Sequence, residues 1–167
     1  MNGIKHLPLY FGSLAAIALA LGVLSAGAQE LRNHDLCRQV TPYSQEQLGD
    51  RDGHMLSVGS DNCETVEGVT KGAVWNSQTV WEWNGTKAKE VAGWCVGRKP
   101  GAITTCQDTD ATIELILTDG KVTGWTASGH SPVTMATGDW AFLNGKTWYW
   151  TAKPTGLYTF EINSEVK

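Results

Sequence analysis

The sequence predicts a mainly β protein: an antiparallel β-barrel or a strongly curved β-sandwich, with a short N-terminal helical or irregular arm. Three observations carry that expectation. From position 54 onward, short runs of Val, Ile, Thr and aromatic residues alternate with Gly, Asn and Asp. The connections between these runs are too short for repeated βαβ crossovers, so antiparallel pairing is the economical solution. The nearly continuous hairpin order then favours a barrel slightly over a sandwich.

The elements follow in order. Residues 29–53 form the expected arm, because Leu31, Leu36, Cys37 and Val40 make only a short apolar stripe and Thr41-Pro42 interrupts any helix. Residues 54–167 are read as a single β-rich domain. Its expected strands are His54–Val58, a weak run over Val66–Val74, Thr79–Trp83, Lys89–Val96, Thr112–Leu117, Val122–Ala127, Trp140–Leu143, Thr147–Trp150 and Leu157–Ile162. Asp119-Gly120, set between two apolar runs, is the clearest hairpin signal. Asn84-Gly85 and Asn144-Gly145 are further turn signals.

Residues 1–28 read as a secretory signal peptide. Lys5 gives a weakly basic start, Leu14–Leu24 is a short apolar core, and Ala26-Gly27-Ala28 supplies small residues before Gln29. The apolar run falls short of the roughly 20 residues that span a bilayer. The expected product is therefore exported, to the periplasm or the extracellular space, with no membrane insertion of the mature chain. The net charge is -4, and losing Lys5 makes the mature chain more acidic. No cluster of cations is present to hold phosphates, so nucleic acid is not an expected partner.

Cys37, Cys63, Cys95 and Cys106 form an even set without a CxxC pair. In an exported chain this favours two disulfides over a redox or zinc site. The favoured pairing is Cys37–Cys63 and Cys95–Cys106, the second closing the turn over Gly97–Gly101. No metal-binding motif and no cofactor motif is present: HxH, HExxH, a phosphate-cradling glycine loop and a GxSxG elbow are all lacking. Asp108 and Asp110 lack the full spacing of a calcium loop and read as a solvated turn.

Eight Trp dominate the composition. Trp81 and Trp83 share one strand face, with Val80 and Glu82 on the other, and Trp148 and Trp150 share another. These four indoles, with Asn76 and Asn144 offering polar edges near adjoining turns, make a candidate ligand platform. A sugar, with apolar C–H faces and hydroxyl edges, is a chemically suitable occupant. The expected function is thus noncatalytic binding of a small ligand, carbohydrate above all. A small secreted enzyme is the alternative, using His130 for acid–base chemistry with Asp139, Glu82 or Glu114. A third reading is a protein-interaction or inhibitor domain that presents exposed aromatics to a protein partner.

Overall fold

The computed structural model describes residues 31–40 and 42–167. The expected export signal at 1–28 lies outside these described residues. Among the described residues there are ten strands: β1 (Arg32–Gln39), β2 (Ser44–Gln47), β3 (His54–Gly68), β4 (Val74–Asn84), β5 (Lys87–Lys99), β6 (Ala102–Gln107), β7 (Thr109–Thr118), β8 (Lys121–Ala136), β9 (Thr147–Gly156) and β10 (Thr159–Val166). All pairings are antiparallel. β6 and β7 run in line, since both pair with β5 on one side and β8 on the other. They act as one interrupted stave.

β1 pairs with β10 along one edge and with β3 along the other. That double pairing closes the sheet into an eight-stave barrel and decides against a sandwich. β2 lies outside the ring, paired only with β3.

The expected arm over 29–53 is therefore only partly an arm. Arg32–Gln39 is a barrel stave, with Asn33, Asp35 and Cys37 buried and the residues between them more open. The inward set is mostly polar, which hid its strand periodicity. Residues 42–53, with β2 among them, are the part that stays outside the ring.

Two other expectations need correction. The run Val66–Val74 is not one strand: β3 ends at Gly68, the chain turns, and β4 begins at Val74. Thr70 anchors that turn, with its hydroxyl accepting from Asn33 Nδ2 at 2.6 Å and its N–H donating to Asn33 Oδ1 at 3.1 Å. Trp140–Leu143 is not a strand either but part of a 3-10 helix, Gly138–Leu143. A 3-10 helix places residues three apart on one face, and Trp140 and Leu143 are the two it buries. Asn144 locks the segment: it accepts from the Ala136 N–H at 2.8 Å and donates to the carbonyls of Ala136 and Ala141 at 2.7 and 3.0 Å.

The Asp119-Gly120 hairpin is present. Both residues have positive φ, 50° and 73°, as a type I′ turn requires. Both expected disulfides are present. Each joins residues directly opposite on neighbouring staves, Cys37 with Cys63 on β1 and β3, and Cys95 with Cys106 on β5 and β6. They fit an oxidising compartment.

The strand directions give the barrel two different ends. One carries the β3–β4 and β5–β6 turns and the 3-10 helix. Here Trp140, Leu143, Trp148, Val133 and Val166 pack with partly buried Trp75 into a floor. Trp75 stacks on Trp140 with ring centroids 6.3 Å apart, and meets Trp148 edge-on at 6.3 Å. The other end carries the β4–β5, β7–β8 and β9–β10 turns and the 42–53 segment.

Candidate functional site

The barrel encloses a cavity of about 480 Å³. Strand alternation aims Trp75, Ser77, Thr79, Trp81 and Trp83 of β4 into it, and Trp148, Trp150 and Ala152 of β9. Trp125 and Phe160 add to the aromatic wall and meet edge-to-face at 5.7 Å. Tyr43, just before β2, reaches in beside Gly59, where any side chain would collide with its ring.

Four carboxylates come from separate places on the wall: Asp35 on β1, Asp61 on β3, Glu90 on β5 and Asp108 at the β6–β7 junction. Two bulges bring the last pair inside. In β5 the register against β4 shifts between Val80 and Trp81, so one partner residue, Val91, is skipped. That extra residue lets Glu90 and Cys95 both face inward despite opposite parity. The β7–β8 register shifts between Thr109 and Thr112, so that Asp108 and Ile113 both face in. The Asp108 N–H bonds to the Gly93 carbonyl at 3.2 Å, which ties the two bulges together. The Glu90 carboxylate folds over Gly93, leaving no room there for a Cβ.

Most interior polar atoms have partners. Tyr43 donates to Asp61 Oδ2 at 2.7 Å. Thr65 donates to Asp35 at 2.5 Å and accepts from Trp75 Nε1 at 2.9 Å. Trp150 Nε1 donates to Ser131 Oγ at 2.8 Å, and Ser131 donates to Asp108. Trp81 and Trp83 donate to Thr79 and Ser57 at 2.9 and 2.8 Å. Four buried cavity-lining atoms have no hydrogen-bond partner among the described residues: both oxygens of Glu90, Oδ1 of Asp61 and Nε1 of Trp148.

The electrostatics follow from burial. Desolvation, and then the neighbouring Asp108 charge, push the Glu90 carboxyl up to about 8. Desolvation raises Asp35 and Asp61 to about 6, against the hydrogen bonds from Thr65 and Tyr43 that pull them down. Asp108 is raised by desolvation, with the Ser131 hydroxyl opposing. Desolvation and the Asp61 charge lift the Tyr43 phenol above its ordinary value.

One prediction follows for stability. Folded Glu90 keeps a proton that the unfolded chain releases near 4.5. Between those pH values the native state binds more protons, so stability falls as pH rises. Asp35 and Asp61 add slope of the same sign from 3.8 up to about 6. Allowing for solvent screening, the Glu90 contribution is about 2 kcal/mol. Urea unfolding at pH 5, 7 and 9 should show declining stability, with Glu90→Gln flattening the part above pH 6. A profile that rises from pH 5 to 9 would contradict this.

The four expected platform indoles, Trp81, Trp83, Trp148 and Trp150, all line the cavity. They form an internal wall rather than an outer platform, because the barrel closes over that face. The two expected asparagines do not join them. Asn76 alternates to the outside of β4 and donates to Asn62 Oδ1 at 2.6 Å. Asn144 is used up holding the 3-10 helix.

His130, Asp139, Glu82 and Glu114 do not converge. His130 is exposed on the outer face of β8, with its ring 4.5 Å from that of Tyr149. Asp139 stands in the 3-10 helix and pairs with Lys99 at 3.6 Å. Glu82 accepts from His54 Nε2 at 2.8 Å, and His54 also bonds to Asp50. Glu114 pairs with Lys87 at 3.1 Å. Glu82 and Glu114 border one outer groove with Arg51, Lys87 and Lys89, and their side chains alternate away from the interior. Asp108 is not the expected solvated turn residue, whereas Asp110 is exposed.

Sequence reasoning missed Asp35, Asp61, Glu90 and Tyr43 as interior residues. The available signal was alternation: Asp35 lies two residues from Cys37, and Asp61 two from Cys63, so each shares a face with a disulfide. No protein-family model matches this chain, and no curated protein matches it.

Proposed function

We propose that this protein is exported, to the periplasm or beyond the cell, and binds a small organic molecule inside its barrel without converting it. One observation carries the reading: a closed barrel holds a cavity of about 480 Å³ instead of a filled core. Barrels of eight staves can pack their interiors or keep room for one small ligand. This volume falls in the range of roughly 300–1,000 Å³ that small-molecule sites occupy. The wall supports it, with broad indole faces and a few polar atoms that lack protein partners. Sugars are among the molecules whose C–H faces stack on indoles. Their hydroxyls would meet carboxylates here, not Asn76 and Asn144. The two disulfides support an oxidising compartment.

The test uses thermal shift and intrinsic Trp fluorescence against a panel of sugars, aromatic acids, aromatic alcohols and amines. Ser77 lies on the inner wall, and Ser77→Trp would fill the cavity while removing little packing. Saturable binding that disappears in folded Ser77→Trp supports the reading. Binding unchanged in that variant, or none across the panel, overturns it.

A further inference from the structure

Burying a carboxylate without a partner is costly, and proteins seldom do so without a reason. This cavity is faced by four: Asp35, Asp61, Glu90 and Asp108. None of the described residues lining it is Lys, Arg or His. Acids alone would not define a site. Glu90 supplies the independent observation, because only 6% of it is exposed, it lines the cavity, and neither carboxylate oxygen has a hydrogen-bond partner among the described residues. Asp61, 5% exposed, adds a third unpartnered acceptor at Oδ1. The interior therefore lacks positive charge, and three of its four unpartnered buried polar atoms are carboxylate oxygens, Trp148 Nε1 being the fourth, so a ligand bringing charge and N–H donors would complement it.

Resting on the interior-binding reading above, we infer that the ligand is an organic cation: a protonated amine with N–H donors, attached to an aromatic or apolar body. Glu90 takes the ammonium, with Asp108 beside it and Asp61 within the same wall. Trp81, Trp83 and Trp150 receive the body and add cation–π attraction. A primary or secondary ammonium fits better than a quaternary one, because orphaned acceptors need donors and not charge alone. A bare metal ion fits poorly. Among the described residues no three His, Cys, Asp or Glu side chains gather closely enough to hold one.

The wall gives this inference a protonic signature. The titratable groups that line the cavity with Glu90 are Asp108 from the β6–β7 junction, Asp61 from β3, Asp35 from β1 and the Tyr43 and Tyr158 phenols, with no cation among the described residues. Glu90 therefore holds its proton at neutral pH. An arriving ammonium favours the carboxylate and expels that proton to the buffer. An alkylammonium like that of lysine stays charged to about pH 10. Affinity should thus increase from pH 6 to pH 9, and proton release should fade over the same interval.

The experiment is isothermal titration of the full mature chain with 2-phenylethylammonium and with its neutral isostere 2-phenylethanol. Titrations run at pH 6, 7 and 9, in two buffers of different ionisation enthalpy. The cation should bind at least about tenfold tighter than the alcohol at pH 9, as expected for a desolvated charge partner. At pH 7 binding should release a substantial fraction of a proton. Glu90→Gln should abolish that release and weaken the cation roughly thirtyfold or more, the low end for losing one member of a buried charge pair. The comparison of cation with alcohol needs no variant, so a misfolded Glu90→Gln would not shield the inference. Equal affinity for cation and alcohol, with both lost in Ser77→Trp, overturns the cation inference and leaves interior binding standing. Tighter binding of a neutral sugar without proton release does the same. Failure of cation, alcohol and sugar alike overturns the cation inference, and failure of the whole panel overturns interior binding too.

Discussion

Replacing Trp140 by Ala is expected to cost about 3–5 kcal/mol, the range for truncating a large core aromatic. Trp140 is 1% exposed and sits in the 3-10 helix that floors the barrel. Its ring stacks on Trp75, 6.3 Å away and within 8° of parallel. Trp75 in turn lines the cavity and touches Trp148 edge-on. The substitution therefore removes the floor's most deeply buried indole and frees a wall residue. Trp140 Nε1 has no hydrogen-bond partner among the described residues, so the loss arises from packing and stacking and not from a broken hydrogen bond. Trp94, 45% exposed, is the internal control. Trp94→Ala should change stability by no more than about 0.5 kcal/mol. Denaturant unfolding followed by circular dichroism checks both, and equal costs would contradict the assignment of floor and outer face.

Removing the Cys37–Cys63 bond should cost about 3.5 kcal/mol, and removing Cys95–Cys106 about 2.8 kcal/mol, from the dependence of loop-closure entropy on loop length. The sequence separations are 26 and 11 residues. The difference has a topological side as well. Cys37–Cys63 fastens β1 to β3, one of the two seams that β1 closes. Cys95–Cys106 joins staves already linked by the short turn after Lys99. Paired Cys→Ala variants, compared in urea with the oxidised parent, should order the two losses this way. A greater loss from the shorter loop would contradict the account.

The sequence displays the barrel's hairpins more clearly than its interior. Asp119-Gly120 specifies its turn locally, through residues that accept positive φ. Trp81, Trp83, Trp148 and Trp150 obey strict alternation, so their shared faces can be read without a structure. The same rule fails for β1, where Asn33, Asp35 and Cys37 point inward and Leu36 is 48% exposed. A cavity lined by polar groups inverts the usual pattern, because those groups face inward. Val58 and Val122, 49% and 59% exposed, show the outer counterpart of that inversion. Glu90 was hidden for a different reason. A bulge changes strand parity, and nothing in Lys89-Glu90-Val91 marks one, apart from the small Ala92-Gly93 pair that follows. Trp140–Leu143 looked strand-like because aromatic and apolar residues cluster there. Tertiary burial of two residues three apart, together with the Asn144 lock, decided for a helix.

An organic cation inside the barrel is the proposed ligand. Its most direct test is a crystal structure of the protein with 2-(4-bromophenyl)ethylammonium, read from the anomalous signal of bromine. The bromine should lie inside the barrel among Trp81, Trp83 and Trp150, with the ammonium nitrogen within hydrogen-bond reach of the Glu90 carboxylate. Bromine found only on the outer surface, or an internal ligand whose ammonium turns away from Glu90, Asp61 and Asp108, would contradict it.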